Sequence, residues 1–148
     1  MVTYACQLDC RYCKVKRGPI TASRATLRKS VDFLLTSVSP DVQLQFFGGE
    51  PLLRYDLVKE TILYGERRAK EKGKRIKFMV TTNGLLLTTD MLIFFKKHST
   101  EIMFSIDGDR KDNDANRYSN KHFKNIYEKT FSALRVLMNS GASYFVNM

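Results

Sequence analysis

The sequence predicts an α/β fold built on a parallel sheet, and three observations lead there. Short β-prone runs alternate with amphipathic runs at helical spacing along the chain. Successive β-prone runs end in glycine, asparagine or aspartate turns. No internal repeat or low-complexity segment interrupts the alternation. Strands and helices that alternate in this way pair in parallel through right-handed crossovers. Two architectures meet that description, a doubly wound open sheet and an α/β barrel or part of one.

Val2 to Ala5 is apolar and β-prone and reads as strand one. Ser23 is an N-cap for a helix carrying Leu27, Val31, Leu34, Leu35 and Val38, with Pro40 as its stop signal. Val42 to Phe47 alternates and reads as a buried strand closed by Gly48 and Gly49. A helix from about Asp56 to Lys72 follows, with Gly73 at its C-terminal position. Ile76 to Thr82 is the third strand, ended by Asn83 and Gly84. Thr88 or Thr89 caps a helix running to His98, and Ile102 to Ile106 is the fourth strand. Asp109 to Asn120 is polar and reads as a loop. A long helix from about Lys121 to Asn139 leads to a fifth strand at Tyr144 to Val146.

Composition bounds the function. Hydrophobic content is 43% in 148 residues, enough for one packed domain and against wholesale disorder. No apolar run is long enough to cross a bilayer, and no signal peptide is visible, so a cytoplasmic protein without membrane contact is expected. The formal charge is +10, from 25 basic and 15 acidic residues. That excess favours an anionic partner such as nucleic acid or an acidic peptide. Many of the cations (Arg24, Arg28 and Lys29, then Arg67 to Arg75) fall on expected helices, where solvated charge belongs.

In a parallel α/β fold the carboxyl ends of all strands share one face, and ligands bind there. The cysteine loop, Gly48–Pro51, Thr82–Gly84 and Ser105–Gly108 each follow a strand, so the four segments converge on one mouth. The chain's 3 cysteines, Cys6, Cys10 and Cys13, sit in one short loop, an odd count that opposes a disulfide framework. Thiolates are the ligands of iron–sulfur clusters, and a four-iron cluster held by three of them keeps one iron open. Zinc would need a fourth group, and the only histidines are His98 and His122, far along the chain.

Cys6-x3-Cys10-x2-Cys13, with aromatic Tyr12 before the third cysteine, resembles the signature of radical S-adenosylmethionine enzymes. The later strand-end motifs match that superfamily in order and spacing, so the resemblance covers essentially the whole chain. Ser105–Ile106–Asp107–Gly108, followed by Arg117, resembles the peptide-modifying branch related to anaerobic sulfatase maturases (the SPASM type). Where that branch often has His-Asp, this chain has Asn113–Asp114.

The resemblance implies a partial (β/α)6-type barrel, here cut after about the fifth strand. Residues 1–148 would then be an incomplete radical S-adenosylmethionine core, with the rest of the barrel and any auxiliary-cluster domain outside the chain. It implies a 4Fe-4S cluster on Cys6, Cys10 and Cys13. The open iron would bind S-adenosylmethionine, whose reductive cleavage gives a 5′-deoxyadenosyl radical that takes hydrogen from substrate. Tyr12 would cover the adenine. Gly48 and Gly49 would bring backbone amides to the cofactor, and Glu50 would receive its amino group. Asn83 would face the ribose, Ser105 and Arg117 would contact the cofactor, and Arg117 would take its carboxylate. Asp107 would face substrate or brace its turn. The substrate would be a peptide or protein, and the electron donor a flavodoxin or ferredoxin. A tRNA- or small-molecule-modifying enzyme and a non-catalytic metal-binding module remain as alternatives.

Overall fold

The structure, a computed structural model, describes residues 1–119 and 124–147. Elements run α1 (Arg24–Leu34), β1 (Asp41–Phe46), a 3-10 turn (Pro51–Arg54), α2 (Tyr55–Glu71), β2 (Arg75–Thr82), α3 (Thr89–Lys97), β3 (Thr100–Ser105), α4 (Arg110–Asn116), α5 (Ile126–Ser140) and β4 (Tyr144–Asn147). Among the described residues no helix is long and apolar enough to cross a membrane.

The sheet is parallel throughout and ordered β1-β2-β3-β4. Sequential order without reversal decides between the two architectures, because a doubly wound sheet must switch direction at its middle. Side-chain alternation gives the same answer. Phe78 and Val80 of β2 and Ile102 and Phe104 of β3 are buried, and they share one core with Ile62 of α2, Phe95 of α3 and Leu137 of α5. Each such side chain contributes roughly 1.5–3 kcal/mol of burial. The opposite face carries Gln45, Thr81, Met103 and Ser105, half-buried or exposed. There Gln45 Nε2 donates to Thr81 Oγ1 at 2.9 Å. Helices therefore cover one face and leave a polar inner surface, as in a barrel wall.

Helix ends follow local chemistry. Ser23 accepts from Thr26 N, and Thr88 accepts from Met91 N. Gly73 takes φ +61 just beyond α2. Ser23→Ala is expected to cost about 1 kcal/mol, read as a melting point lower by roughly 4 °C. An unchanged melt would show that the cap does not hold α1.

Three readings need correction. Residues 2–5 form no strand of the sheet. Val2 N donates to Phe47 O, Tyr4 N to Ile20 O, and Thr3 pairs with Thr21 in a single antiparallel bridge. Wedged between the end of β1 and residues 20–22, this segment has its backbone groups taken from both sides. The first helix stops at Leu34, and Val38 is fully exposed. The stretch after Gly108 contains a helix, α4, because Asp109 accepts from Asp112 N and caps it. The last helix is described from Ile126; its expected start at Lys121, and His122, lie outside the described residues.

Much of the surface charge is paired. Arg24 and Arg28 both reach Glu60 at 2.6 Å, and Arg68 binds Asp32 at 2.9 Å. The basic excess is thus a solvated helix surface more than one continuous cationic face.

Candidate cofactor site

Backbone ties set the shape of the site. Gly49 N donates to Thr3 O and Glu50 N to Ala5 O, both at 2.8 Å. The glycine turn after β1 therefore grips the segment that leads into Cys6. A Cβ on Gly48 would lie 2.4 Å from Thr3 O, and one on Gly49 would lie 2.2 Å from Ala5 O. These glycines are required by close approach of two backbones. That corrects the expectation of free amides at the turn, since the amides of Gly49 and Glu50 are spent inside the protein. The other side of the cysteine loop is tied to α4 and the residues after it: Asp9 N donates to Tyr118 O and Arg11 N to Asn116 O.

Glu50 is 1% exposed. Its Oε1 accepts from Leu52 N at 3.0 Å and Thr82 Oγ1 at 2.9 Å, and its Oε2 accepts from Asn83 N at 2.9 Å. Burial pushes the carboxyl up to about 7, against those three hydrogen bonds. One carboxylate thus joins the turns after β1 and β2.

Asp107, Arg117 and Tyr12 form a second connected group. Arg117 NH2 donates to Asp107 Oδ1 at 2.7 Å. Tyr12 OH donates to Asp107 Oδ2 at 2.8 Å, and the Arg117 guanidinium stands 5.7 Å from the Tyr12 ring centre. Burial and the Asp107 bond raise the Tyr12 phenol. Arg117 is 7% exposed, and its Nε is buried with no partner. Asn113 accounts for the position: its Oδ1 accepts from Asp107 N and its O accepts from Arg117 N.

The three thiols share this mouth. Burial raises Cys6, and burial pushes Cys10 up to about 11 with the Arg117 cation opposing it. Cys6, Cys10, Cys13, Tyr12, Gly48, Gly49, Glu50, Asn83, Ser105 and Arg117 all line one cavity of about 340 Å³. Every expected cofactor contact is therefore brought together, while Asp107 lies outside that lining and is bonded to Tyr12 and Arg117. Sequence reasoning missed Gln7, whose side chain reaches Asn83 and which belongs to no spacing pattern, and it noted Asn113 without its bracing role.

The cavity's candidate metal donors include three thiols from one loop, and among the described residues it holds no imidazole to serve as a fourth zinc ligand. His98 does not supply one. It precedes β3, at the amino end of the sheet, with Nδ1 at 2.9 Å from Glu66 Oε2.

Comparison with known proteins agrees with this geometry. The model of the Radical SAM superfamily matches residues 1–148. A serine-type anaerobic sulfatase-maturating enzyme from Bacteroides thetaiotaomicron is 28% identical over 94% of this chain and 35% of its own length. The radical SAM cyclopropyl synthase TigE of Paramaledivibacter caminithermalis is 23% identical over 93% of this chain and 31% of its own. An uncharacterized protein of Methanothermobacter thermautotrophicus is 35% identical over 76% of this chain and 43% of its own. The chain thus spans less than half the length of these relatives. A solved structure described as native anSMEcpe with bound AdoMet and Cp18Cys peptide superposes with a TM-score of 0.86 at 20% identity, over 98% of this chain and 40% of that one. That likeness is one of fold, a partial α/β barrel.

Proposed function

The chain belongs to the radical S-adenosylmethionine superfamily, and on that footing we propose that Cys6, Cys10 and Cys13 hold a 4Fe-4S cluster with S-adenosylmethionine on its open iron. When bound, the pair supplies one-electron cleavage of the sulfonium and hydrogen-atom abstraction from substrate. The observation that carries the reading is the convergence of ten residues, from five separated segments, on one cavity.

The protein's own part is binding, orientation and charge. Arg117 offers the cofactor carboxylate a buried Nε that no protein group uses. Glu50 Oε2 has one protein donor and keeps acceptor capacity for the cofactor ammonium. Asn83 and Ser105 line the same cavity. Tyr12 is half exposed and anchored at its hydroxyl to Asp107, a suitable edge for the adenine. Asp107 braces Tyr12 and Arg117 through its two oxygens.

A peptide or protein is the substrate class we favour. The support is the Ser105–Gly108 turn with Arg117, and the sulfatase-maturating relative at 28% identity. The structural neighbour itself carries a bound peptide. The reading includes a cytoplasmic setting and a flavodoxin- or ferredoxin-type donor. The ion-paired arginines of α1 and α2 speak against nucleic acid.

Anaerobic reconstitution with iron and sulfide tests the cluster. We expect roughly four irons per chain, and loss of most of them in Cys6→Ala, Cys10→Ala or Cys13→Ala. Stoichiometric zinc with no iron–sulfur chromophore would overturn the reading.

A further inference from the structure

Cys6 differs from the other two cysteines in its surroundings. Leu8 N donates to its Sγ at 3.4 Å, and Asn83 Nδ2 donates to the same sulfur at 3.9 Å. Among the described residues neither Cys10 nor Cys13 has a side-chain or backbone N–H directed at its sulfur.

The Asn83 carboxamide has one orientation open to it. Its Oδ1 accepts from Leu85 N at 3.1 Å and from Gln7 Nε2 at 3.3 Å. Two donors on the oxygen leave the amide nitrogen for Cys6. Its backbone is held as well, since Asn83 N donates to Glu50 Oε2. Asn83 is 7% exposed, so water does not compete freely for these bonds. Gln7 lies on the cysteine loop and Asn83 at the end of β2, so the relay spans the two walls of the cavity. The thiol form of Cys6 donates to Gln7 Oε1 at 3.9 Å. A thiolate cannot make that contact, and only the N–H donors remain to stabilise its charge.

We infer that the Gln7–Asn83 amide relay is a positioning device that directs an N–H at the Cys6 sulfur and raises the reduction potential of the cluster held there. The inference rests on the cluster assignment above and adds to it a residue pair that sets the electron affinity of the site. Hydrogen bonds to cluster sulfurs favour the reduced, more negative state. Outer partners that orient a ligand tune a metal in the same way. In this arrangement Asn83 works through Cys6, and its contact is with sulfur more than with a ribose.

The test is a redox titration of the reconstituted chain, followed by the electron paramagnetic resonance signal of the reduced cluster. Asn83→Ala is expected to make reduction harder by about tenfold in equilibrium constant, which is ~59 mV more negative for one electron. Gln7→Ala releases the Asn83 oxygen and is expected to shift the potential in the same direction by less. Gln45→Ala, whose side chain contacts Thr81 on the inner sheet face, is expected to leave the potential unchanged. Should Asn83→Ala fail to load a cluster, Gln7→Ala decides, because it keeps the Asn83 bonds to Leu85 and Glu50. Loaded variants with wild-type potential would overturn the relay while leaving the cluster assignment standing. A wild-type chain that takes up no cluster would overturn the parent reading and this one with it.

Discussion

Gly49→Ala is expected to leave the sheet and helices intact while displacing the cysteine loop. The added Cβ would meet Ala5 O at 2.2 Å and Ala5 C at 2.6 Å, both backbone atoms. Backbone cannot rotate away as a flexible side chain can. Forced overpacking of this kind costs about 3 kcal/mol. The residue that must move adjoins Cys6, so the local cost becomes a functional one. Iron bound per chain after reconstitution should fall several-fold, with a lower melting point. Gly18→Ala is the matched control, since a Cβ there meets nothing within 4 Å. Equal iron content in the Gly49→Ala and Gly18→Ala chains would contradict the close-approach account.

Glu50 is expected to produce an unusual pH dependence. Burial raises its carboxyl from 4.5 to about 7. Between those values the folded state keeps a proton that the unfolded state has lost. Stability therefore falls as pH rises through that window, then levels above 7. At 1.36 kcal/mol per unit, the fall is about 3 kcal/mol. The carboxyls of Asp41, Asp56 and Glu60 are lowered by arginine partners, and that of Asp32 by the Tyr64 hydroxyl and Arg68, so their stabilisation is lost at lower pH, outside this window. Glu50→Gln removes the titration, and its stability should be flat from pH 4.5 to 7. The amide also turns an N–H2 toward one of three donors, which costs about 1–3 kcal/mol. The variant should thus be less stable than wild type at pH 5, where the wild-type carboxyl is neutral. Denaturant melts at pH 5 and pH 8 check both points. A wild-type chain equally stable at both would refute the assignment.

The parallel sheet and the gathering of the site were legible in the sequence for one reason. Parallel strands bring their carboxyl ends to one face, so residues marking those ends must meet. Ser23, Thr88 and Gly73 were legible because caps act over a few residues. Residues 2–5 misled because β-propensity registers an extended backbone, and its partners here are turns on either side. Helix α4 was missed because Arg110–Asn116 has no apolar stripe; the Asp109 cap and buried Asn113 hold it in place. The signal that could have found it is the Asp109 cap with Asp112 in the first turn. The inward duties of Gly48, Gly49 and Glu50 were beyond reach, since Thr3, Ala5 and Thr82 are their partners and none is near them in sequence.

The central claim is that Cys6, Cys10 and Cys13 hold a cluster that works on S-adenosylmethionine. The direct measurement is 5′-deoxyadenosine formed by the reconstituted, dithionite-reduced chain supplied with S-adenosylmethionine under nitrogen. We predict product from the wild-type chain and none from Cys10→Ala. A fully loaded wild-type chain that forms no 5′-deoxyadenosine, or a Cys10→Ala chain that forms as much as wild type, would contradict it.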